Sequence, residues 1–168
     1  MKAYFLNIVV IFTITFSHSQ VFNDNIIPYN NLKVNNQLIM YKTLNEVTTL
    51  LGNYSSQTTF YNEVEDIVEN VYIINNNRFY FYNNELVRFN LQNNNFHFIN
   101  NSIRVGQNIS TLSTVFPNYQ QELYWAGEMG VISLFIRDTD GVINEGIVLI
   151  ITYDTQNIIS AIYIDNPS

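Results

Sequence analysis

"VENVYIINNNRFYFYNNELVRFNL", residues 68–91, alternates runs of β-branched and aromatic residues with groups of asparagine. Successive side chains of a strand point to opposite faces, so Phe79 and Phe81 share one side and Tyr80 and Tyr82 the other. The asparagine groups at 75–77 and 93–95 read as turns, because Asn tolerates left-handed backbone angles. The stretch therefore predicts antiparallel strands near Val68–Ile74, Arg78–Tyr82 and Glu85–Leu91.

Upstream, "QLIMYKTLNEVTTLLGNY" (37–54) has apolar residues on one helical face at Leu44, Val47, Leu50 and Leu51. Thr43 followed by Glu46 is a capping box, and Gly52 is a stop. A displacement of 65 positions lays this segment on "SIRVGQNISTLSTVFPNY" (102–119), matching those four residues to Ile109, Leu112, Val115 and Phe116. Asn108 is then the cap and Pro117 the stop.

Strands are expected again near Val131–Arg137, Gly146–Tyr153 and Ile158–Ile164. The last strands also match, with Phe89 over Ile162 and Leu91 over Ile164. The architecture expected is α+β: two tandem repeats, 36–100 and 101–168, each a short amphipathic helix followed by an antiparallel three- or four-stranded meander. The two sheets would join into one curved surface, with residues 20–35 as an N-terminal segment.

Val105, Gly106, Ile109, Leu112, Val115, Phe116 and the strand Ile158–Ile164, with counterparts from Met40 to Leu91, carry a family resemblance. The pattern is similar to the helix-plus-sheet unit of the β-lactamase-inhibitor-protein-like proteins, and to the single unit of the SmpA/OmlA-type outer-membrane assembly lipoproteins. The resemblance is at the level of the fold, and neither family's specific function carries over to this chain. This chain departs from the inhibitors in having no cysteine, and from the lipoproteins in lacking a cysteine for lipid attachment.

The N-terminal "MKAYFLNIVVIFTITFSHSQ" places Lys2 before an apolar run from Tyr4 to Phe16, followed by Ser17 and Ser19 around His18. This is the pattern of a signal peptide cleaved after residue 19. The run is shorter than the roughly 20 residues that span a bilayer, so no stable membrane anchor is expected after cleavage. Localisation is expected to be periplasmic or extracellular. The bias toward Asn, Ile, Tyr and Phe resembles exported proteins of Bacteroidetes-type bacteria.

The chain carries 14 acidic and 7 basic residues. That balance opposes binding to phosphate backbones, so nucleic acid is not an expected partner. Without cysteine, thiol nucleophiles and cysteine-ligated metals are excluded.

Beyond the leader, His97 in "NNNFHFIN" is the sole histidine and alternates with Phe96 and Phe98, which reads as the outer face of a strand. A histidine-based triad and a histidine zinc cluster therefore lack their parts. Glu63, Glu65, Asp66 and Glu69 in "EVEDIVE" could pair as acid and base, but read first as a solvated strand edge. Asp138, Asp140 and Glu145 around Gly141 resemble a fragment of a calcium loop, while Asp-Gly between strands is first a hairpin turn. No cofactor and no catalytic residue is expected.

Aromatic residues remain. Tyr72, Tyr80 and Tyr82 on strands, with Tyr124 and Trp125 in "QELYWAGEMG", suit either cross-strand packing or a binding face. Trp125 falls on Phe60 under the repeat alignment. The functional expectation is a non-enzymatic binding protein of inhibitor, immunity or scaffold type that takes a protein partner on an aromatic sheet face. The alternative is a small-ligand or glycan binder of the bacterial envelope.

Overall fold

The computed structural model describes residues 21–22, 26–119, 122–123, 130–137 and 143–165. Residues 1–19, where a cleaved leader is expected, lie outside them. In chain order the first strands are β1 (Ile26–Pro28), β2 (Lys33–Val34), β3 (Gln37–Leu38), β4 (Tyr54–Asn62), β5 (Ile67–Ile74), β6 (Asn77–Tyr82) and β7 (Glu85–Leu91). They are followed by β8 (Glu122–Leu123), β9 (Gly130–Arg137), β10 (Ile143–Tyr153) and β11 (Ile159–Asp165). Nine strands form one sheet in the order β1-β9-β10-β11-β7-β6-β5-β4, with β8 beside β9, while β2 and β3 make a separate hairpin. All pairs are antiparallel except β1 with β9.

This overturns the expected α+β architecture of two tandem helix-plus-sheet repeats. The described chain is mostly strand, in one continuous sheet, with a single α-helix, α1 (Leu44–Leu51). The segment expected to be a second helix forms a six-residue 3-10 helix, Ile109–Thr114. Its composition explains the difference. The Thr111, Ser113 and Thr114 hydroxyls each donate at 2.7 Å to the carbonyl three residues back. Such bonds compete with the α ladder, and "ISTLST" has Leu112 as its one strong helix former. Buried residues at Ile109, Leu112 and Val115 also recur every third position, which suits three residues per turn.

In α1 the capping box is complete: the Thr43 hydroxyl accepts from the Glu46 N–H, and the Glu46 carboxylate accepts from the Thr43 N–H at 2.9 Å. Val47 and Leu51 are buried against the sheet. The helix start is tied to β7, since the Tyr41 N–H donates to the Leu86 carbonyl and the Leu86 N–H to the Lys42 carbonyl. Its far end is closed by Asn75 Nδ2, which donates to the Leu51 carbonyl at 3.2 Å.

Three hairpins turn on Asn-Asn. Asn35-Asn36, Asn75-Asn76 and Asn83-Asn84 all have φ between 48° and 67° at both central residues. Two left-handed residues in a two-residue loop define the turn whose twist matches that of paired strands, and Asn is the non-glycine residue that adopts it most cheaply. The second asparagine group joins the first: Asn93 Nδ2 and Asn95 Nδ2 both donate to the Asn75 carbonyl.

The meander β5-β6-β7 and the meander β9-β10-β11 meet at β7 and β11, where Leu91 faces Ile162 and Phe89 faces Ile164. One sheet face is the core. Phe79, Phe89, Phe96 and Phe98 form a chain of ring contacts 5.7–6.2 Å apart, with Ile151, Ile162 and Leu112 in the same buried cluster. Removing any of these buried rings costs about 3–5 kcal/mol. The other face of β4–β7 carries the candidate site.

Candidate functional site

The site begins with a register slip. Tyr80 faces Arg88, but the next residue on β6, Phe81, faces Leu86. Leu86 and Phe89 are both buried in the core. The two residues between them, Val87 and Arg88, therefore both project from the opposite face, as a β-bulge requires. Cross-strand neighbours then bring Arg88 on β7, Tyr80 on β6 and Val71 on β5 into one row, with Glu69 beside Phe60 of β4 in the next.

Arg88 organises this face. Its Nε donates to both carboxylate oxygens of Glu69, at 3.1 and 2.9 Å, and its Nη2 donates to Oε2. The Glu69 side chain is 1% exposed and that of Arg88 15%, so the pair is nearly dry. The guanidinium carbon lies 4.5 Å from the centre of the Tyr80 ring and 4.9 Å from that of Phe60. Those two rings meet edge to face at 5.9 Å. A planar cation suits this arrangement, satisfying the carboxylate in its plane while its face rests on aromatic π density.

Beside the ion pair opens a cavity of about 480 Å³. Ile67 and Val87 give it apolar surface, Tyr82 an aromatic wall, and Asn62, Glu65, Glu69 and Arg88 its polar groups. Asn62 is buried and holds the β4–β5 turn: its Oδ1 accepts from the Val64 and Glu65 N–H groups, and its Nδ2 donates to the Glu65 carboxylate at 3.2 Å. The Tyr61 hydroxyl donates to the Asp66 carboxylate across the same turn, and that bond raises the Tyr61 phenol above its usual pKa. On the other side of Arg88 a smaller cavity of about 230 Å³ is lined by Tyr80, Asn90 and Tyr163. The Asn90 side-chain oxygen is buried without a hydrogen-bond partner among the described residues.

Of the residues singled out from sequence, Tyr80 packs on Arg88 and Tyr82 lines the larger cavity, 37% exposed. Tyr72 is on the core side, its ring against Tyr54 at 5.0 Å and Phe81 at 5.3 Å. The structure therefore joins Tyr80 with Tyr82 and separates both from Tyr72. Tyr124, Trp125, Asp138 and Asp140 lie outside the described residues, and Glu145 is placed only as part of β10. Among the described residues no three His, Asp or Glu side chains converge on a metal position.

The acidic run divides too. Glu63, Glu65 and Asp66 occupy the β4–β5 turn, whereas Glu69 is buried under Arg88 rather than solvated at an edge. His97 lies between the buried Phe96 and Phe98 with its own side chain half-buried, but the expected strand is absent there: residues 96–98 belong to the connection after β7, where Phe98 makes isolated bridges to Val34 and Ile103.

Sequence reading passed over Arg88, Asn62 and the whole of β4. One signal for Arg88 is present: in "ELVRFNL" the buried residues Leu86, Phe89 and Leu91 are spaced three and then two, and the broken alternation marks the bulge. The chain matches no protein-family model, and neither a curated protein nor a solved structure shows detectable similarity to it.

Proposed function

We propose that this chain is an exported, non-enzymatic binding protein that takes a protein partner on the Arg88 face and the adjoining end of the β4–β5 hairpin. One observation carries this reading. Phe60 and Tyr82 are 44% and 37% exposed on the Arg88 face, Val64 is 73% exposed in the adjoining turn, and Tyr61 and Val68 are exposed on the reverse side of the same hairpin end. Clustered exposed apolar residues mark interaction surfaces, and pre-ordered Tyr and Arg side chains are the usual anchors of affinity.

The rim sets the partner's chemistry. Glu63, Glu65 and Asp66 surround the apolar residues with negative charge, in a chain of net charge −7. The complementary surface is an aliphatic or aromatic anchor flanked by Lys or Arg, and its binding weakens as salt rises. The leader of residues 1–19 supports an encounter outside the cytoplasm.

The deciding experiment immobilises the protein and offers it an envelope and secreted extract of the source cells. A Phe60→Ala/Tyr82→Ala double variant and a Tyr41→Ala control, exposed elsewhere, run alongside. A basic protein held by the wild type and the control but lost by the double variant supports the reading; equal retention by all three overturns it.

A second reading rests on the larger cavity. Its volume of about 480 Å³ and its ring of Asn62, Glu65, Arg88 and Tyr82 suit a sugar-sized polyol stacked on an aromatic face. Saturable binding of a glycan by the purified protein, lost in Tyr82→Ala, would favour it over the protein partner.

A further inference from the structure

Strand β4 ends the sheet: among the described residues, β5 is its only neighbour. Its sequence, "YSSQTTFYN", contains no charged residue and no proline, and residues 54–61 are all exposed. An edge strand presents unpaired N–H and C=O groups to any other strand, and soluble proteins blunt such edges with charge, proline, brevity, a bulge or a cover. The opposite end of the same sheet is blunted: β1 has three residues and finishes at Pro28. On β4 the sole irregularity is the register shift between Tyr54 and Ser56.

We infer that β4 pairs with β4 of a second copy of this chain, antiparallel about a two-fold axis at Thr58. This rests on the edge strand and not on the reading of the Arg88 face. Pairing along the whole strand puts Tyr54 of one copy toward Asn62 of the other, with the bulge at Ser55 falling near each end of the joint. Phe60 then faces Ser56, Tyr61 faces Ser55, Gln57 faces Thr59 and Thr58 faces itself. Each aromatic ring meets a small hydroxyl residue, and Thr on Thr is a favourable cross-strand pair.

Charge permits the same register. Glu63, Glu65 and Asp66 lie past one end of β4, so two-fold pairing sends the two acidic turns to opposite ends of the joint. That separation is about 27 Å along the strand, several times the Debye length of about 8 Å at physiological salt. A nine-residue antiparallel pair makes about 8–10 main-chain hydrogen bonds, the number found in an ordinary specific interface. An axis perpendicular to the sheet keeps both Arg88 faces on one side, so the dimer would offer two binding faces side by side.

The absence of cysteine makes the test direct. Protein purified from cells expressing the full chain is examined by sedimentation equilibrium, and single cysteines are introduced at exposed positions. The wild type is expected to form a concentration-dependent dimer, and Thr58→Lys, which sets like charges face to face, to raise its dissociation constant more than about tenfold. Thr58→Cys should form an intermolecular disulfide rapidly under mild oxidant, while Ser110→Cys on the 3-10 helix should not. Ser56→Cys and Phe60→Cys should each fail to link alone, their own copies lying about 14 Å apart along the strand, and should link when mixed. A monomer at all concentrations, a dimer indifferent to Thr58→Lys, or linkage of Thr58→Cys no faster than Ser110→Cys overturns the inference.

Discussion

Arg88 on β7 and Glu69 on β5 are joined across the intervening strand β6, the guanidinium donating to both carboxylate oxygens while its face rests on Tyr80. Glu69 is 1% exposed, and among the described residues Arg88 is the cation that pairs with it. Arg88→Ala leaves a buried charge uncompensated and is expected to lower unfolding free energy by about 3–5 kcal/mol in urea titrations. Replacing both partners with apolar residues, Glu69→Leu with Arg88→Met, should cost much less than the sum of the single changes, and a double-mutant cycle reads that coupling.

Asn76, at φ 61°, is the second central residue of the β5–β6 hairpin, its backbone carbonyl accepts from Asn93 Nδ2, and among the described residues its side chain has no hydrogen bond that would offset a change of residue type. Asn76→Gly should leave stability unchanged or raise it slightly, because glycine enters the left-handed region without steric cost. Asn76→Val should lower it by about 1–2 kcal/mol. Thermal melts of the two variants against the wild type decide this.

The start of α1 is sensitive to both sequence and acid. Thr43→Ala removes the hydroxyl side of the capping box and should cost about 1 kcal/mol in denaturant. Hydrogen bonds from the Thr43 backbone and side chain, and then Lys42, hold the Glu46 carboxyl below its usual pKa. The native state thus binds this proton less tightly than the unfolded chain does. The contribution of Glu46 is whole above the ordinary glutamate range and drains away as pH falls through the depressed native value. Glu46→Gln should flatten that acid limb of the stability profile.

Tyr61 behaves in the opposite sense at high pH. Its hydroxyl donates to Asp66, and the phenol pKa is raised. The native state holds this proton more tightly, so the bond contributes fully below the ordinary phenol pKa of about 10 and is lost as pH rises through the higher native value. Asp66→Asn should bring the Tyr61 titration, followed by ultraviolet difference spectra, down to the ordinary range, and Tyr61→Phe should remove its contribution.

Much of the strand layout was legible in the chain because it is written in local rules. Alternation in "RFYFY" assigns Phe79 and Phe81 to the core and Tyr80 and Tyr82 to the other face wherever the strand ends up. Asn-Asn marks the hairpins because few residue types enter left-handed backbone regions, and Thr43 with Glu46 caps a helix within a single turn. None of this depends on distant partners.

What needed the folded chain was everything set by contact between segments far apart in sequence. Ile109, Leu112, Val115 and Phe116 have the spacing of α1's apolar residues, yet hydroxyl side chains and burial draw that segment into a 3-10 helix. Tyr72 shares an alternating pattern with Tyr80 and Tyr82, but cross-strand register sets it opposite Phe79, on the core side. Glu69 reads as one more solvated acid until β6 and β7 fold back and deliver Arg88 over it. Face and turn are properties of a few adjacent residues, whereas burial of a charge is a property of the whole sheet, because only assembled strands exclude the water that would otherwise solvate it.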